Sequence, residues 1–273
     1  MNNIVKIAWA GKHIGEEPAI SGNNAQGSGT IFFSGCNLHC VFCQNFQISQ
    51  QGLGKEYSIT DLAKMMIDLQ DDGAININLV TPTIWHEQII EAIKIAKNGG
   101  LIIPIVWNSN GYEAIEIIEM VAPYIDIFLP DFKYGIAEIG EKYSGVKDYP
   151  DIARLAIEKM LELKSDYVEE NGLARKGVIV RHLILPNNLE NSIGALDIIS
   201  RISRDLPVSL MRQFYPLAEA KKFPELSRTV SEEEFETIFQ YQINLGLENG
   251  WVQEGNCEKF LIPDFEKVEP FSF

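Results

Sequence analysis

Three closely spaced cysteines, Cys36, Cys40 and Cys43, are the residues of this sequence best suited to chemistry. Cysteine thiolates bind zinc ions and iron-sulfur clusters, and a closed site of either kind has four protein ligands. A loop with three thiolates must take a fourth ligand from elsewhere in the chain or leave one metal position open. An open position is typical of a site where a substrate or cofactor binds the metal.

A zinc site completed by a fourth residue is the alternative interpretation. His39 is one candidate, but it directly precedes Cys40 and is poorly placed to bind the same metal. The other candidate is Cys257, although an isolated cysteine is more often a small buried apolar residue than a ligand. The Cys-x3-Cys-x2-Cys spacing also differs from the pairs of zinc ribbons and from the run in bacterial ferredoxins. We therefore favour the open site.

Composition limits the class of protein. The chain has 273 residues, 46% of them hydrophobic, which is enough for a substantial core in one domain. A formal charge of −15 disfavours nucleic acid as a partner, because binding to phosphates needs clustered Lys and Arg. The apolar runs are too short to cross a membrane. Clustered cysteines and the lack of a signal-peptide pattern predict a reducing cytoplasm.

The elements that position the cysteines alternate between two hydrophobic periods. Strand-like runs occur at six places, which are residues 30–34, 75–80, 101–107, 125–129, 178–185 and 207–211. Stripes with helical spacing lie between them, as in Ile59, Leu62, Ala63 and Met66. Such alternation predicts βα units and a parallel sheet.

Six βα units predict an α/β fold in which the sheet curves into a partial (β/α)6 barrel of the TIM type. Residues 1–29 are interpreted as an N-terminal cover loop, and residues 30–273 as the barrel domain with a C-terminal extension. Residues 164–176 are expected to be a polar connection. Ser58 or Thr60 is a candidate helix N-cap, and Ser231 with Glu234 forms a candidate capping box. Catalytic groups are expected where the strands end, and Cys36 directly follows the first of them.

The cysteine spacing is the signature of radical S-adenosylmethionine (SAM) enzymes, which this chain resembles. Among them, it is most similar to activases related to pyruvate formate-lyase activating enzyme. The resemblance also covers segments that follow one another at the predicted strand ends, which are residues 15–22, 27–36, 43–45, 78–83, 108–112, 129–134 and 181–186.

This resemblance implies that the three cysteines hold a [4Fe–4S] cluster whose fourth iron binds SAM. It implies reductive cleavage of SAM to a 5′-deoxyadenosyl radical, which abstracts hydrogen from a substrate, with a glycine of a partner enzyme as one candidate. Flavodoxin or ferredoxin is the implied electron donor. The alternative function is a metal-binding redox or interaction module without SAM turnover, and a relative that binds SAM without cleaving it is a third.

Several SAM contacts are implied by position. The residue before the last cysteine, Phe42, is expected against the adenine, or else as a core aromatic. Activases carry Gly-Gly-Glu-Pro in the slot occupied here by residues 78–83, so Thr81 and backbone carbonyls would replace the acidic acceptor for the SAM ammonium. A plain strand terminus is the alternative for Thr81 and Pro82. Asn108 and Asn110 are expected to contact the ribose or the methionyl group, although Asn-Gly is also an ordinary turn.

Charged residues at two further strand ends complete the candidate set. Asp131 and Lys133 alternate onto one face and are expected at the barrel mouth, to bind ribose, a cation or the substrate. A structural salt bridge between barrel layers is the alternative for these two residues. Arg181 lies in an apolar strand and needs a partner. By resemblance this partner is the SAM carboxylate, and an ion pair with Asp131 is the alternative. His182 points the other way and is expected to be a core or outer-face histidine. Weaker candidates for the substrate end are Gln213, Tyr215, Gln253 and Glu254.

Overall fold

A computed structural model describes residues 3–15, 17–22, 26–253 and 262–271. The strands within these ranges are β1 (Ile4–His13), β2 (Ser28–Phe33), β3 (Lys55–Ser58), β4 (Ile77–Val80), β5 (Ile105–Ser109), β6 (Ile127–Pro130), β7 (Val168–Glu170), β8 (Leu173–Val178), β9 (Val180–Leu183), β10 (Val208–Met211) and β11 (Gly250–Val252).

The α-helices within the same ranges are α1 (Pro18–Ser21), α2 (Phe46–Ser49), α3 (Ile59–Asp71), α4 (His86–Asn98), α5 (Ile115–Val121), α6 (Ala137–Ser144), α7 (Tyr149–Lys164), α8 (Leu189–Ile202) and α9 (Glu232–Asn244). Short 3-10 helices occur at Thr83–Trp85, Ala122–Tyr124, Ala218–Lys222 and Pro224–Leu226. No helix in the described part of the chain combines the length and the apolar character needed to span a bilayer.

The strands form a mostly parallel, curved sheet. One part has the order β3-β1-β2-β4-β5-β6-β8-β7 and the other has the order β11-β10-β9. A parallel bridge between Asp131 and Arg181 joins them at β6 and β9. The parallel row therefore runs through all six predicted strand regions in sequence order, and the described strands do not close into a complete barrel. This confirms the predicted α/β fold with a partial barrel.

The helices cover the outer face of the sheet, and both predicted capping motifs are present. The Ser58 hydroxyl accepts a hydrogen bond from the backbone N–H of Asp61, whose carboxylate accepts from the Ser58 N–H in return. Ser231 and Glu234 form the same arrangement at the start of α9. Inside the curve, Ala19 of α1 packs with Val106 and Ile127 and fills the end of the sheet away from the cysteines.

The N-terminal segment differs from the prediction. Residues predicted to be a cover loop include β1, which pairs antiparallel with β2 and β3. The loop prediction is wrong here because Val5 and Ile7, both buried, belong to an antiparallel strand that precedes the βα alternation. The predicted connection 164–176 also contains a strand, β7. All three residues of β7 are exposed, so it lacks the apolar pattern by which a buried strand is recognised. The division of the chain at residues 29 and 30 stays a prediction.

Candidate functional site

A cavity of about 190 Å³ lies at the carboxyl ends of the parallel strands. All of the sequence-predicted site residues line it, namely Cys36, Cys40, Phe42, Cys43, Thr81, Asn108, Asn110, Asp131, Lys133 and Arg181. Gln213, one of the weaker candidates, also lines the cavity. Parallel strands end at the same edge of a sheet, so residues far apart in sequence meet here.

The cysteine loop begins immediately after β2 and folds back toward the sheet. The backbone N–H of Ser34 donates to the Lys6 carbonyl at 2.9 Å, and that of Gly35 donates to the Ile48 carbonyl at 3.0 Å. Gly35 has a φ of 88°, a left-handed conformation that glycine adopts without a steric penalty. The loop is therefore fixed at its entrance to the strands on one side and to α2 on the other, and its three cysteines are free thiols.

Each thiol has a hydrogen-bond partner that can donate to a thiolate. The Asn110 side-chain amide lies 3.3 Å from the Cys36 sulfur. The Ser144 hydroxyl donates to Cys40 at 3.0 Å. The Ser49 hydroxyl lies 3.2 Å from the Cys43 sulfur. Sequence reasoning missed both serines, since Ser144 lies far along the chain and neither serine belongs to a motif.

An ion-pair network occupies the centre of the cavity wall. Arg181 donates through Nε to the Asp131 carboxylate at 2.9 Å and through its terminal nitrogen to the Asn108 side-chain oxygen at 2.6 Å. Lys133 donates to the other carboxylate oxygen of Asp131 at 2.5 Å. Only 13% of the Asp131 and Arg181 side chains is exposed. The predicted alternative of an ion pair between Arg181 and Asp131 is therefore confirmed, and the pair faces the cavity.

The electrostatics of this network favour its charged form. Burial by itself raises the pKa of the Asp131 carboxyl, but the Arg181 and Lys133 charges outweigh that effect and hold its pKa below the usual value. Burial acts to lower the pKa of Lys133, and the Asp131 charge reverses this, so that the pKa lies above its usual value. Two cations share one carboxylate, and the network carries a net positive charge suited to an anionic group.

The residue in the modified slot, Thr81, has an unusual backbone conformation. Its φ is 59°, and a β-branched residue in the left-handed region is strained. The Thr81 N–H donates to the Asn108 carbonyl at 3.0 Å, which ties this position to the end of β5. Strain of this kind persists only where the surroundings enforce it, and it is concentrated at functional sites.

The turn after β5 is built around Asn110 and Gly111. The Asn110 side chain accepts from the Tyr112 N–H at 2.9 Å and donates to the Asn37 side chain of the cysteine loop at 2.7 Å. Gly111 has a φ of 76°, and a Cβ at this position would lie 2.1 Å from the Asp131 carbonyl oxygen. The turn is therefore both an ordinary Asn-Gly turn and a direct neighbour of the cysteines.

A buried tyrosine that sequence reasoning missed connects two strand ends. The Tyr149 hydroxyl lies 2.7 Å from the Asn110 carbonyl oxygen and 2.9 Å from the Asp131 carbonyl oxygen, and it accepts from the Lys133 N–H. Its signal in the sequence is only an aromatic residue at the start of a helix, which does not reveal these partners.

The structure also gives the positions of Phe42 and the two histidines considered in the sequence. Phe42 lines the cavity and also packs edge-on against Tyr134 and Phe214, so it pins the loop and faces the cavity at once. His182 is fully buried between the Phe132 carbonyl and the Ser192 hydroxyl, as predicted for a core histidine. His39 is exposed.

The other weak candidates either do not line the cavity or lie outside the residues that the structure describes. Tyr215 does not line the cavity, whereas the Gln253 amide donates to the Gln213 side chain at 2.7 Å. Glu254 and Cys257 lie outside the described residues.

Comparisons with known proteins identify the family. A family model described as "Radical SAM superfamily" matches residues 30–185, more than half of the chain. This chain belongs to the radical SAM superfamily. Members use a [4Fe–4S] cluster and SAM as cofactors, and the cysteine loop lies within the matched residues.

One relative and three solved structures are similar to this radical SAM chain. The "Uncharacterized protein MJ0674" of Methanocaldococcus jannaschii is 35% identical over 240 residues, which are 84% of this chain and 64% of the relative. The chain thus spans less than two thirds of that relative's length. The HydG maturase of Carboxydothermus hydrogenoformans has a TM-score of 0.55 at 14% identity over 80% of this chain and 50% of HydG.

A second HydG structure gives a TM-score of 0.54 at 14% identity over 80% of this chain and 48% of HydG. A domain of a pyruvate-formate lyase-activating enzyme from Bacteroides vulgatus has a TM-score of 0.44 at 14% identity, covering 63% of this chain and 94% of the domain. The HydG structures show that the fold is shared.

The thiols of this radical SAM loop fit a cluster. Among the described residues, no three His, Cys, Asp or Glu side chains converge as ligands of one metal ion, whereas a cluster is a larger object held by several thiolates. Burial raises the pKa of Cys36, and it raises that of Cys43 to about 12. Metal binding deprotonates coordinating thiols outright, so we expect cluster binding to release protons.

A further part of the cavity wall comes from both ends of the described chain. His13 is the last residue of β1 and Gly15 follows it, while Pro263 and Phe271 lie near the end of the described chain. All four lie outside the matched residues 30–185. The His13 ring packs against Phe271 with the ring centres 4.1 Å apart, and burial lowers the pKa of His13 to about 4. This wall is therefore uncharged near neutral pH and largely aromatic.

Proposed function

We propose that this chain is a radical SAM enzyme that cleaves SAM reductively and abstracts hydrogen from a substrate. The observation that carries the proposal is the meeting of two sets of residues in one cavity. Three thiols of a single loop form one side, and the network of Asn108, Asp131, Lys133 and Arg181 forms the other. Cysteines in a merely structural metal site have no need of such a neighbouring polar network.

When bound, the cluster supplies one electron that splits the SAM sulfonium and releases a 5′-deoxyadenosyl radical, which abstracts hydrogen. The protein binds and orients the reactants. Cys36, Cys40 and Cys43 would hold three irons of the cluster, which would leave the fourth iron to bind SAM. The guanidinium of Arg181, already oriented by Asp131, holds the SAM carboxylate.

The other SAM contacts follow from the cavity wall. Phe42 packs against the adenine, and Thr81 with nearby backbone carbonyls accepts from the N–H groups of the SAM amino group. Asn108 and Asn110 bind the ribose or the methionyl group. Asp131 and Lys133 complete the polar surface. Each of these residues lines the same cavity, and this supports assigning them to one ligand.

The substrate and the partners are proposed from the sequence motifs. Similarity to glycyl-radical activases supports hydrogen abstraction from a glycine of a partner enzyme, with flavodoxin or ferredoxin as electron donor. Free cysteines support a reducing cytoplasm as the compartment. Transfer of deuterium from labelled candidates into 5′-deoxyadenosine identifies the substrate, and absence of label from a glycine-labelled partner rejects that candidate.

The cleavage reaction is tested by anaerobic reconstitution of the cluster, followed by dithionite and SAM. We expect 5′-deoxyadenosine from the wild-type protein and none from a Cys40→Ser variant. A sample with full iron and sulfide content that binds SAM at equilibrium but forms no 5′-deoxyadenosine supports the noncatalytic alternative and rejects the enzyme.

A second variant separates the open site from a four-ligand metal module. The open-site proposal predicts that Cys257→Ser retains its iron and its SAM cleavage. Loss of the metal in this variant, together with a spectrum typical of four-thiolate coordination in the wild type, supports the metal-binding module instead.

A further inference from the structure

A buried carboxylate lies just behind the cavity and has no part in the proposed mechanism. Glu113 is 2% exposed and does not line the cavity. It accepts three hydrogen bonds, from the Thr83 hydroxyl at 2.9 Å, the Trp107 indole at 2.9 Å and the Ser109 hydroxyl at 2.6 Å. Such a buried charge is costly unless it is fully hydrogen-bonded, so this arrangement is specific.

The three donors belong to two neighbouring strand ends. Thr83 begins the 3-10 helix after β4, two residues beyond Thr81. Ser109 is the last residue of β5 and directly precedes Asn110. Its hydroxyl also lies 3.3 Å from the backbone nitrogen of Gly111. One carboxylate thus connects the two loops that carry Thr81 and Asn110.

The backbone at Thr81 needs this kind of support. Its positive φ of 59° is strained for a β-branched residue and persists only if neighbouring contacts enforce it. The hydrogen bond from the Thr81 N–H to the Asn108 carbonyl holds one side. The bond from Thr83 to Glu113 holds the other side, because it fixes the chain immediately after the strained residue.

We propose that Glu113 is a positioning residue that sets Thr81 and Asn110 in the geometry for binding SAM. The inference rests on the proposed function. Glu113 acts through Thr83 and Ser109 and touches no reactant itself. Residues 78–83 lack the glutamate that activases carry in this slot. Glu113 does not line the cavity, but it contacts the same slot through Thr83.

The test compares the SAM dissociation constant of reconstituted variants, read from the change that SAM causes in the electron paramagnetic resonance spectrum of the reduced cluster. Glu113→Gln and Thr83→Val are expected to weaken SAM binding about tenfold at unchanged iron content. Thr83→Ser retains the hydroxyl and is expected to bind SAM like the wild type. The Thr83 pair decides the question if Glu113→Gln does not fold.

The matched control is Glu234→Gln. Like Glu113, Glu234 is a buried carboxylate that does not line the cavity, but it belongs to the capping box of α9. It is expected to lower stability without changing SAM affinity. Wild-type affinity in both Glu113→Gln and Thr83→Val, or an equal loss in Thr83→Ser, overturns the inference. If SAM does not change the spectrum of the wild-type protein, the proposed function itself fails. If SAM changes the spectrum but all variants bind it with equal affinity, only the inference about Glu113 fails.

Discussion

The guanidinium of Arg181 and the carboxylate of Asp131 form an ion pair at 2.9 Å across the junction of β6 and β9. The same two residues pair their backbones where the two parts of the sheet meet. This pair of residues therefore joins the two parts of the sheet through its backbone and orients a cation toward the cavity through its side chains.

Replacement of Arg181 separates its two roles. We expect Arg181→Met to lower the unfolding free energy by about 2 kcal/mol, since the buried Asp131 keeps only Lys133 of its two cationic partners, and to weaken SAM binding. Arg181→Lys retains a cation beside Asp131 and should recover most of the stability but not the SAM affinity, because an ammonium lacks the planar, two-donor geometry of a guanidinium. Urea denaturation and SAM titration measure the two effects. Recovery of both in Arg181→Lys contradicts a role for the Arg181 guanidinium in binding SAM.

A hydroxyl beside the cluster loop should tune the reduction potential. Ser49 lies 3.2 Å from the Cys43 sulfur, and hydrogen bonds to cluster sulfurs stabilise the more negative, reduced state. We expect Ser49→Ala to lower the potential by roughly 20–60 mV, as measured by a redox titration. Ser200→Ala, in α8, is the control and should leave the potential unchanged. An unshifted potential in Ser49→Ala shows that this hydroxyl does not donate to the thiolate.

Two glycines with similar backbone conformations distinguish crowding from strain. Gly111 and Gly145 have φ values of 76° and 74°, but only at Gly111 would a Cβ meet another atom closely. Gly145→Ala should cost about 1 kcal/mol of unfolding free energy. Gly111→Ala should cost about 3 kcal/mol, because the methyl group must displace the Asp131 backbone. Equal losses of unfolding free energy in the two variants would mean that the Gly111 turn and the Asp131 backbone move apart at no cost.

Buried histidines make stability depend on pH. Burial lowers the pKa of His182 to about 4, while the unfolded chain binds a proton near pH 6.5. The unfolded state therefore holds more protons between these values, and stability falls as the pH falls through this window, by about 3 kcal/mol for His182. His13 acts in the same direction.

Urea denaturation of the cluster-free protein at several pH values measures this effect. His182→Gln should show a weaker pH dependence than the wild type, whereas a variant of the exposed His39, His39→Gln, should retain it. Parallel curves for the wild type and His182→Gln contradict the prediction.

The parallel half of the fold was predictable because burial on both faces leaves long apolar runs, as at Ile77 and Leu79. The strand β1 was missed because it pairs antiparallel at an edge of that row, where the βα rhythm has not begun. Ser49, Ser144 and Glu113 were missed for a different reason. Their roles depend on contacts across the fold, and such contacts leave no spacing in the sequence to recognise.

The part of the cavity wall formed by His13, Pro263 and Phe271 has a consequence for divergence. Since these residues are separate in sequence from the cysteine loop, substitutions there can alter which molecule is accepted without disturbing iron coordination. Relatives with the same cysteine loop can in this way acquire different specificities through changes confined to these two segments.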